Sequence, residues 1–266
     1  MLKVGYYQFA PVHGQVRTNL DHVIKALQNV QADLIVLPEL AFTGYAFLSS
    51  EELLPQAEDP KTSSTVDSLT ALCRAGNFYL VTGFAERAQD TCFNSALLIG
   101  PDGLMHTYRK LHLFNTEKAC FAPGDTPLSV QAVRGVSVGM MICFDWFFPE
   151  VARSLCLQGA QLLCHPANLV LNYCQEAMRT RCTENLAYAV TANRFGHEKR
   201  PGLDLEFTGQ SQVVAPRGLI LDRAPADCPQ LGLVEIDPAL ALDKRLTAAN
   251  DLFEDRRPEY YDRMCS

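Results

Sequence analysis

Leu2 to Phe9 opens the chain as a strand, and the apolar period then changes: Leu20, Val23, Ile24, Leu27 and Val30 recur at spacings of 3, 1, 3 and 3, one face of a helix. After Ala32 and Asp33 comes the unbroken apolar run Leu34 to Leu37, stopped by Pro38, which predicts a strand buried on both faces. Strand, helix, strand is a βαβ unit. A second follows the same plan: Val136 to Ile142 reads as a strand, Pro149 to Leu157 as a helix opened by a proline, and Gln161 to Cys164 as a strand stopped by Pro166.

The two units echo one another without gaps. Laying His22 to Pro38 over Glu150 to Pro166 pairs Val23 with Val151, Leu27 with Leu155, Ala32 with Ala160, Leu34 with Leu162 and Pro38 with Pro166, and Val4-Gly5 matches Val138-Gly139 in the preceding strands. Each half then carries a Pro-x-Gly turn between β-rich runs, at Ile99 to Leu104 and at Val214 to Leu219, which predicts a hairpin in each. Further helices are expected from Thr65 to Cys73, ended by Gly76, and from Cys174 to Ala187. The pattern predicts an α/β fold, an αββα four-layer sandwich of two pseudo-symmetric halves packed sheet against sheet. Neither sheet is stable with one face wet, so residues 1–266 are expected to form one domain, with the polar, aromatic tail from Asn250 on a surface or another subunit.

Composition narrows the function. A net charge of −7 with scattered Lys and Arg gives no basic stripe for nucleic acid. No apolar run approaches the about 20 residues that span a bilayer, and the start has no secretory leader, so a cytoplasmic protein is expected. The 10 cysteines are dispersed with no C-x-x-C pair, which favours reduced, mostly buried thiols over a disulfide framework or a zinc site. No cofactor or metal is implied.

Reactive groups in open parallel sheets gather beyond the carboxyl ends of the strands. That rule selects Glu39 after Leu34 to Pro38, and Cys143 at the strand-to-helix turn of MICFDWFFPE; the first hairpin ends in TYRK and delivers Lys110. On position alone Cys143 reads equally as a nucleophile on a sharp turn or as one more buried thiol. A carboxylate directly after an apolar strand is also explained by a cap or an ion pair, and a lysine at a strand end is ordinarily exposed.

The three segments LPELAFTGY (37–45), YRKLHLFNTEKACFAPGD (108–125) and GMMICFDWFFPE (139–150) resemble, in order and spacing, the catalytic segments of the nitrilase superfamily, and the resemblance runs on through HPANLV, the EN of RCTENLA, TANRFG and the NDLF tail. It implies a carbon–nitrogen hydrolase with Glu39 as general base, Lys110 stabilising the tetrahedral intermediate, Cys143 as nucleophile and Glu117 as a second glutamate of the site. It also implies a homodimer or higher homo-oligomer.

The expected substrate is a small amide or nitrile, cleaved through a thioester with release of ammonia. An N-carbamoyl amide hydrolase or amine acyltransferase of the same family is the alternative, and an inactive binding protein of the same fold is the reading from another class. Tyr45, Phe114, Phe121, Trp146, Phe147 and Tyr173 are candidates to line an aromatic pocket, the backbone N–H of Phe144 to hold an oxyanion, and Asn168 to face the substrate. Residues of these types are as readily plain core or turn caps. Relatives that hold a substrate carboxylate often carry arginine four residues after the nucleophile. Phe147 stands there, so an uncharged substrate is expected unless Arg179 or Arg181 reaches the pocket.

Overall fold

The computed structural model describes residues 1–261. The first sheet contains β1 (Leu2–Gln8), β2 (Leu34–Val36), β3 (Tyr79–Ala88), β4 (Thr91–Gly100) and β5 (Gly103–Arg109). The second contains β6 (Val130–Val133), β7 (Val136–Met140), β8 (Leu162–Ala167) and β9 (Tyr188–Asn193). Strands β10 (Phe195–Arg200) and β11 (Leu203–Thr208) form a separate hairpin. Then β12 (Gln212–Val214) and β13 (Ile220–Arg223) join the second sheet, and β14 (Gln230–Ile236) returns to the first. The helices are α1 (Val16–Leu27), the short α2 (Ser50–Leu53), α3 (Ser64–Gly76), α4 (Pro149–Leu157) and α5 (Cys174–Asn185).

The strand orders, β14-β1-β2-β3-β4-β5 and β6-β7-β8-β9-β12-β13, are equivalent. In each, three parallel strands are flanked by one antiparallel strand and by an antiparallel hairpin. The internal echo extends to register. Val4 pairs with Leu34 and Leu34 with Tyr79; in the other half Val138 pairs with Leu162 and Leu162 with Tyr188. Helices α1 and α4 are the first crossovers of the two halves, α3 and α5 the second.

Because side chains alternate along a strand, β2 sends Leu34 and Val36 into the core between the sheets and Ile35 into the core under α1 and α3. The inter-sheet core joins Val4, Tyr6, Val81, Ala96 and Leu98 of the first sheet to Val138, Met140, Leu162, Val190 and Val213 of the second. Both faces of each parallel strand are covered, which explains why these strands read as continuous apolar runs.

Three expectations need correction. Strand β8 runs through Pro166 to Ala167 instead of stopping. The β7 pairing ends at Met140 opposite Cys164, so Pro166 has a ladder neighbour only in β9 and its missing N–H costs no bond to β7. Gly76 is still helical, and Asn77 takes the left-handed cap (φ 50°) in its place. Helix α5 ends at Asn185, two residues before Ala187. The tail beyond Asn250 lies partly outside the described residues. Within them Phe253 packs beside α4, with Arg153 5.1 Å and Lys244 5.0 Å from its ring centre, while Tyr260 and Tyr261 are exposed. Among the described residues no helix is long and apolar enough to cross a membrane.

Candidate active site

Glu39 leaves the end of β2 into a tight turn in which Leu40 adopts φ 48°. That turn lies directly on β3: the N–H of Gly83 donates to the Pro38 carbonyl (3.1 Å) and the N–H of Ala41 to the Gly83 carbonyl (3.3 Å). A Cβ at residue 83 would stand 2.3 Å from Glu39 Cα, so only glycine permits this approach. Lys110 follows β5. Its N–H donates to the Asn94 carbonyl and its own carbonyl accepts from Gly124, 2.8 Å each.

Cys143 follows β7 and begins a 3₁₀ turn, Cys143–Phe147, before α4; its φ is 40°, an uncommon conformation for a residue with a side chain. Asp145 holds that turn. Its buried carboxylate accepts from the Ile142 N–H (2.9 Å), the Tyr108 hydroxyl (2.7 Å) and the backbone N–H of His112 (3.2 Å), and lies 2.8 Å from His112 Nδ1. From the other side His165 Nε2 stands 3.0 Å from the Cys143 carbonyl. Burial lowers His165 to about 4 against the opposing pull of that bond, so the ring is neutral and Nε2–H is the donor.

The three segments meet in one buried cluster. Lys110 Nζ donates to Glu39 Oε1 at 2.6 Å and to both oxygens of Glu117 at 2.8 Å. Asn94 Nδ2 donates to the same Glu39 Oε1 (2.7 Å), and Glu39 Oε2 is buried with no donor. Glu117 is met on both oxygens, taking the Tyr45 hydroxyl (2.7 Å) on Oε1 and the Phe114 N–H (3.0 Å) on Oε2.

One ammonium thus faces two carboxylates. Burial raises the Glu39 carboxyl, Lys110 opposes and Glu117 adds, and the balance leaves it above its ordinary value. Burial works against the Lys110 ammonium, but Glu117 and Glu39 outweigh it and hold the lysine protonated. Burial pushes the Cys143 thiol well up and Glu39 adds to this; Lys110 and the Asn168 N–H pull the other way. At rest the nucleophile candidate is therefore a thiol, and a proton acceptor must accompany its reaction.

Cys143, only 6% exposed, opens onto a narrow cleft of about 20 Å³ lined by Phe114, Phe144, Trp146, Asn168, Leu169, Val170 and Leu171. Asn168 donates to the Glu39 carbonyl (2.8 Å) and keeps its buried Oδ1 unpaired. The larger cleft between α3 and β5 has no such cluster in its lining.

A model of the carbon–nitrogen hydrolase family matches residues 3–245. The chain belongs to that family. This hydrolase is 42% identical over 266 residues to a nitrilase of Pyrococcus abyssi, with 99% of this chain and 100% of the other covered. It is 27% identical over 282 residues to N-carbamoylputrescine amidase of Arabidopsis thaliana, covering 97% and 93%. It also resembles, with a TM-score of 0.82 and 25% identity over 98% of this chain and 96% of the other, a Glu-to-Gln variant of an amidase from Nesterenkonia sp. AN1. That structure shows covalent addition of the acetamide moiety of fluoroacetamide at the active-site cysteine.

Of the aromatic candidates in this hydrolase, Phe114, Phe144 and Trp146 line the cleft, as does Asn168, whereas Tyr45 and Phe147 do not. Tyr45 is buried behind Glu117, where its hydroxyl has a partner. Phe147 is 49% exposed, with its ring tilted against Trp146 and Phe144, because the 3₁₀ turn carries it round to solvent. Tyr173 is 48% exposed beside Trp146, and Phe121 is buried next to Cys120. Neither arginine is free. Arg179 pairs with Glu176 (2.6 Å) and donates to the Gly218 carbonyl; Arg181 pairs with Glu184 (2.7 Å) and donates to the Trp146 carbonyl.

Sequence reading missed Gly83, Asn94 and Asp145 in this hydrolase. A glycine and an asparagine at buried positions inside strands were the available signals.

Proposed function

We propose that this hydrolase cleaves a small, uncharged amide or nitrile through a thioester on Cys143, with Glu39 as general base and Lys110 as the group that meets the developing negative charge. The observation that carries the reading is the uncommitted Glu39 Oε2. A buried carboxylate oxygen with no donor costs about 1–3 kcal/mol, more for a charged group, and the cost is explained if that oxygen exchanges a proton. Its neighbour Oε1 is already occupied by Lys110 and Asn94.

For an amide, Glu39 takes the thiol proton as sulfur attacks the carbonyl carbon, and Lys110 with the Phe144 N–H stabilises the oxyanion. The tetrahedral adduct breaks its carbon–nitrogen bond, Glu39 returns the proton to nitrogen, and ammonia leaves a thioester. Water, deprotonated by Glu39, attacks the thioester; the carboxylic acid departs and the thiol is restored. A nitrile reaches the same thioester after one added water converts the first adduct, a thioimidate, into the tetrahedral intermediate. Glu117, tied to Lys110, Tyr45 and the Phe114 N–H, holds the ammonium in place. The adduct described at the active-site cysteine of the Nesterenkonia amidase supports the assignment of the nucleophile.

The neutral substrate rests on the lining of the cleft, which is apolar apart from Cys143 and Asn168, and on the engagement of Arg179 and Arg181 elsewhere. A substrate carboxylate would be buried without a counter-charge, at a cost of several kcal/mol. An amide N–H has a ready acceptor in Asn168 Oδ1. The test compares kcat/KM for neutral amides and nitriles with their ω-carboxylate analogues of equal length, by ammonia release. The neutral compounds are expected to be preferred, and a clear preference for the charged series would overturn the substrate reading. We further propose that two copies pair with the tail beyond Asn250 at the interface. Sedimentation at micromolar concentration should give a dimer; a strict monomer would contradict this.

A further inference from the structure

Two contacts from distant parts of the chain hold the Lys110–Glu117 pair: Glu39 on Lys110, and Tyr45 OH, which reaches Glu117 from a loop between β2 and α2 that has no regular structure of its own. Asn19 and Gly14 bond the start of that loop at the Phe42 and Thr43 carbonyls, and the stretch at Tyr45 itself is clamped by Glu198, on the separate β10–β11 hairpin. Its buried carboxylate accepts from the backbone N–H of Tyr45 (3.1 Å) and of Ala46 (2.7 Å), through Oε2. Oε1 is taken by the Arg194 guanidinium, itself buried and stacked 4.1 Å from the Phe207 ring. Phe207 in turn meets the Tyr45 ring edge-on at 5.9 Å. Gly44 makes the approach possible: at φ +75° it turns the two amides toward Glu198, and a Cβ there would stand 3.1 Å from Glu198 Oε1 and 2.9 Å from His13 Cα. His13 Nδ1 is 3.6 Å from Glu198 Oε2.

We propose that Glu198 is a positioning residue for the reaction, acting through Tyr45 on the Glu117–Lys110 pair. Its charge is fully used by Arg194 and two backbone donors, so it adds no free anion to the site. Charge-assisted bonds of this kind are short and directional, which suits a clamp. With the loop free, the Tyr45 hydroxyl would leave Glu117 Oε1, and Lys110 would lose the partner geometry that aims it at the oxyanion. Misplacement of a catalytic group by about 1 Å costs up to about 10²-fold in rate.

This inference rests on the hydrolase reading of Glu39, Lys110 and Cys143. The test is a double-mutant cycle in the full-length protein with Glu198→Gln and Tyr45→Phe, each assayed for ammonia release below its own melting temperature. Each single variant is expected to lower kcat by about 10-fold or more while KM changes less than about twofold, and the second substitution is expected to add less than about twofold to the first. Should Glu198→Gln fail to fold, Glu198→Asp keeps the charge beside Arg194 but withdraws it from the two amides, and the same cycle applies. Losses that multiply independently, or a change confined to KM or to melting temperature, would overturn the proposal. Retained turnover in Cys143→Ala would instead refute the underlying hydrolase reading, so the two failures are distinguishable.

Discussion

Gly83→Ala should damage activity through Glu39 without replacing any polar side chain. The added Cβ would sit 2.3 Å from Glu39 Cα and 2.4 Å from the Leu40 nitrogen, against a comfortable separation of about 3.5 Å, so the turn must retreat by about 1 Å. Strand β3 cannot give way readily, since it is hydrogen-bonded to β2 on one side and β4 on the other. The retreat stretches the bonds from Gly83 to Pro38 and from Ala41 to Gly83, and pulls Glu39 Oε1 from Lys110 and Asn94, now at 2.6 and 2.7 Å. Overpacking of this size costs about 1–3 kcal/mol of stability. Displacing the base by about 1 Å costs about 10²-fold in kcat/KM. Ammonia release and urea unfolding, measured on the same preparation, give both numbers. A folded Gly83→Ala enzyme with kcat/KM within twofold of wild type would refute the reasoning.

Asn94→Ala removes a donor that stabilises the Glu39 carboxylate, so the acid limb of the kcat/KM–pH profile should move to higher pH; an unmoved or lowered limb would count against Glu39 as the titrating base. Glu39→Gln should stop iodoacetamide from alkylating Cys143 while the partly exposed Cys228 still reacts, as read by peptide mass spectrometry; undiminished Cys143 labelling would sink the base assignment. Glu198 is held down to about 2 although burial opposes it, because His13, Arg194 and the Ala46 N–H favour the anion. A depressed carboxyl stabilises the fold above its unfolded value near 4.5 and loses that contribution as pH falls toward about 2. Glu198→Gln should therefore flatten the acid limb of stability in urea titrations between those pH values, and an unchanged slope would contradict the depressed carboxyl.

The two βαβ units and their echo were legible because burial leaves a period in the sequence. Val4, Leu34, Val138 and Leu162 were aligned as echoes, and they are equivalent partners in the two registers. Glu39, Lys110 and Cys143 were legible as a set because the three segments that carry them resemble those of a known superfamily; a place just beyond a strand left each with an ordinary explanation. Other features were not legible because they depend on distant contacts. Pro166 reads as a strand stop until the end of β7 pairing at Cys164 is known. Tyr45 and Phe147 both look like pocket aromatics, and only the turn geometry sends one behind Glu117 and the other to solvent. Glu198 lies 153 positions from the Tyr45 amide it binds, in a hairpin with no catalytic motif, and no local pattern marks it.

The most direct test of the account is the state of Cys143 during turnover. The enzyme is mixed with a slow neutral amide, quenched in acid within one turnover, and mapped by peptide mass spectrometry. The account predicts a mass increase equal to the substrate's acyl group less one hydrogen on the peptide carrying Cys143, appearing with the first ammonia released and absent from Cys143→Ala, which should be folded and inactive. Ammonia release without any adduct on Cys143, or steady turnover by Cys143→Ala, would contradict it.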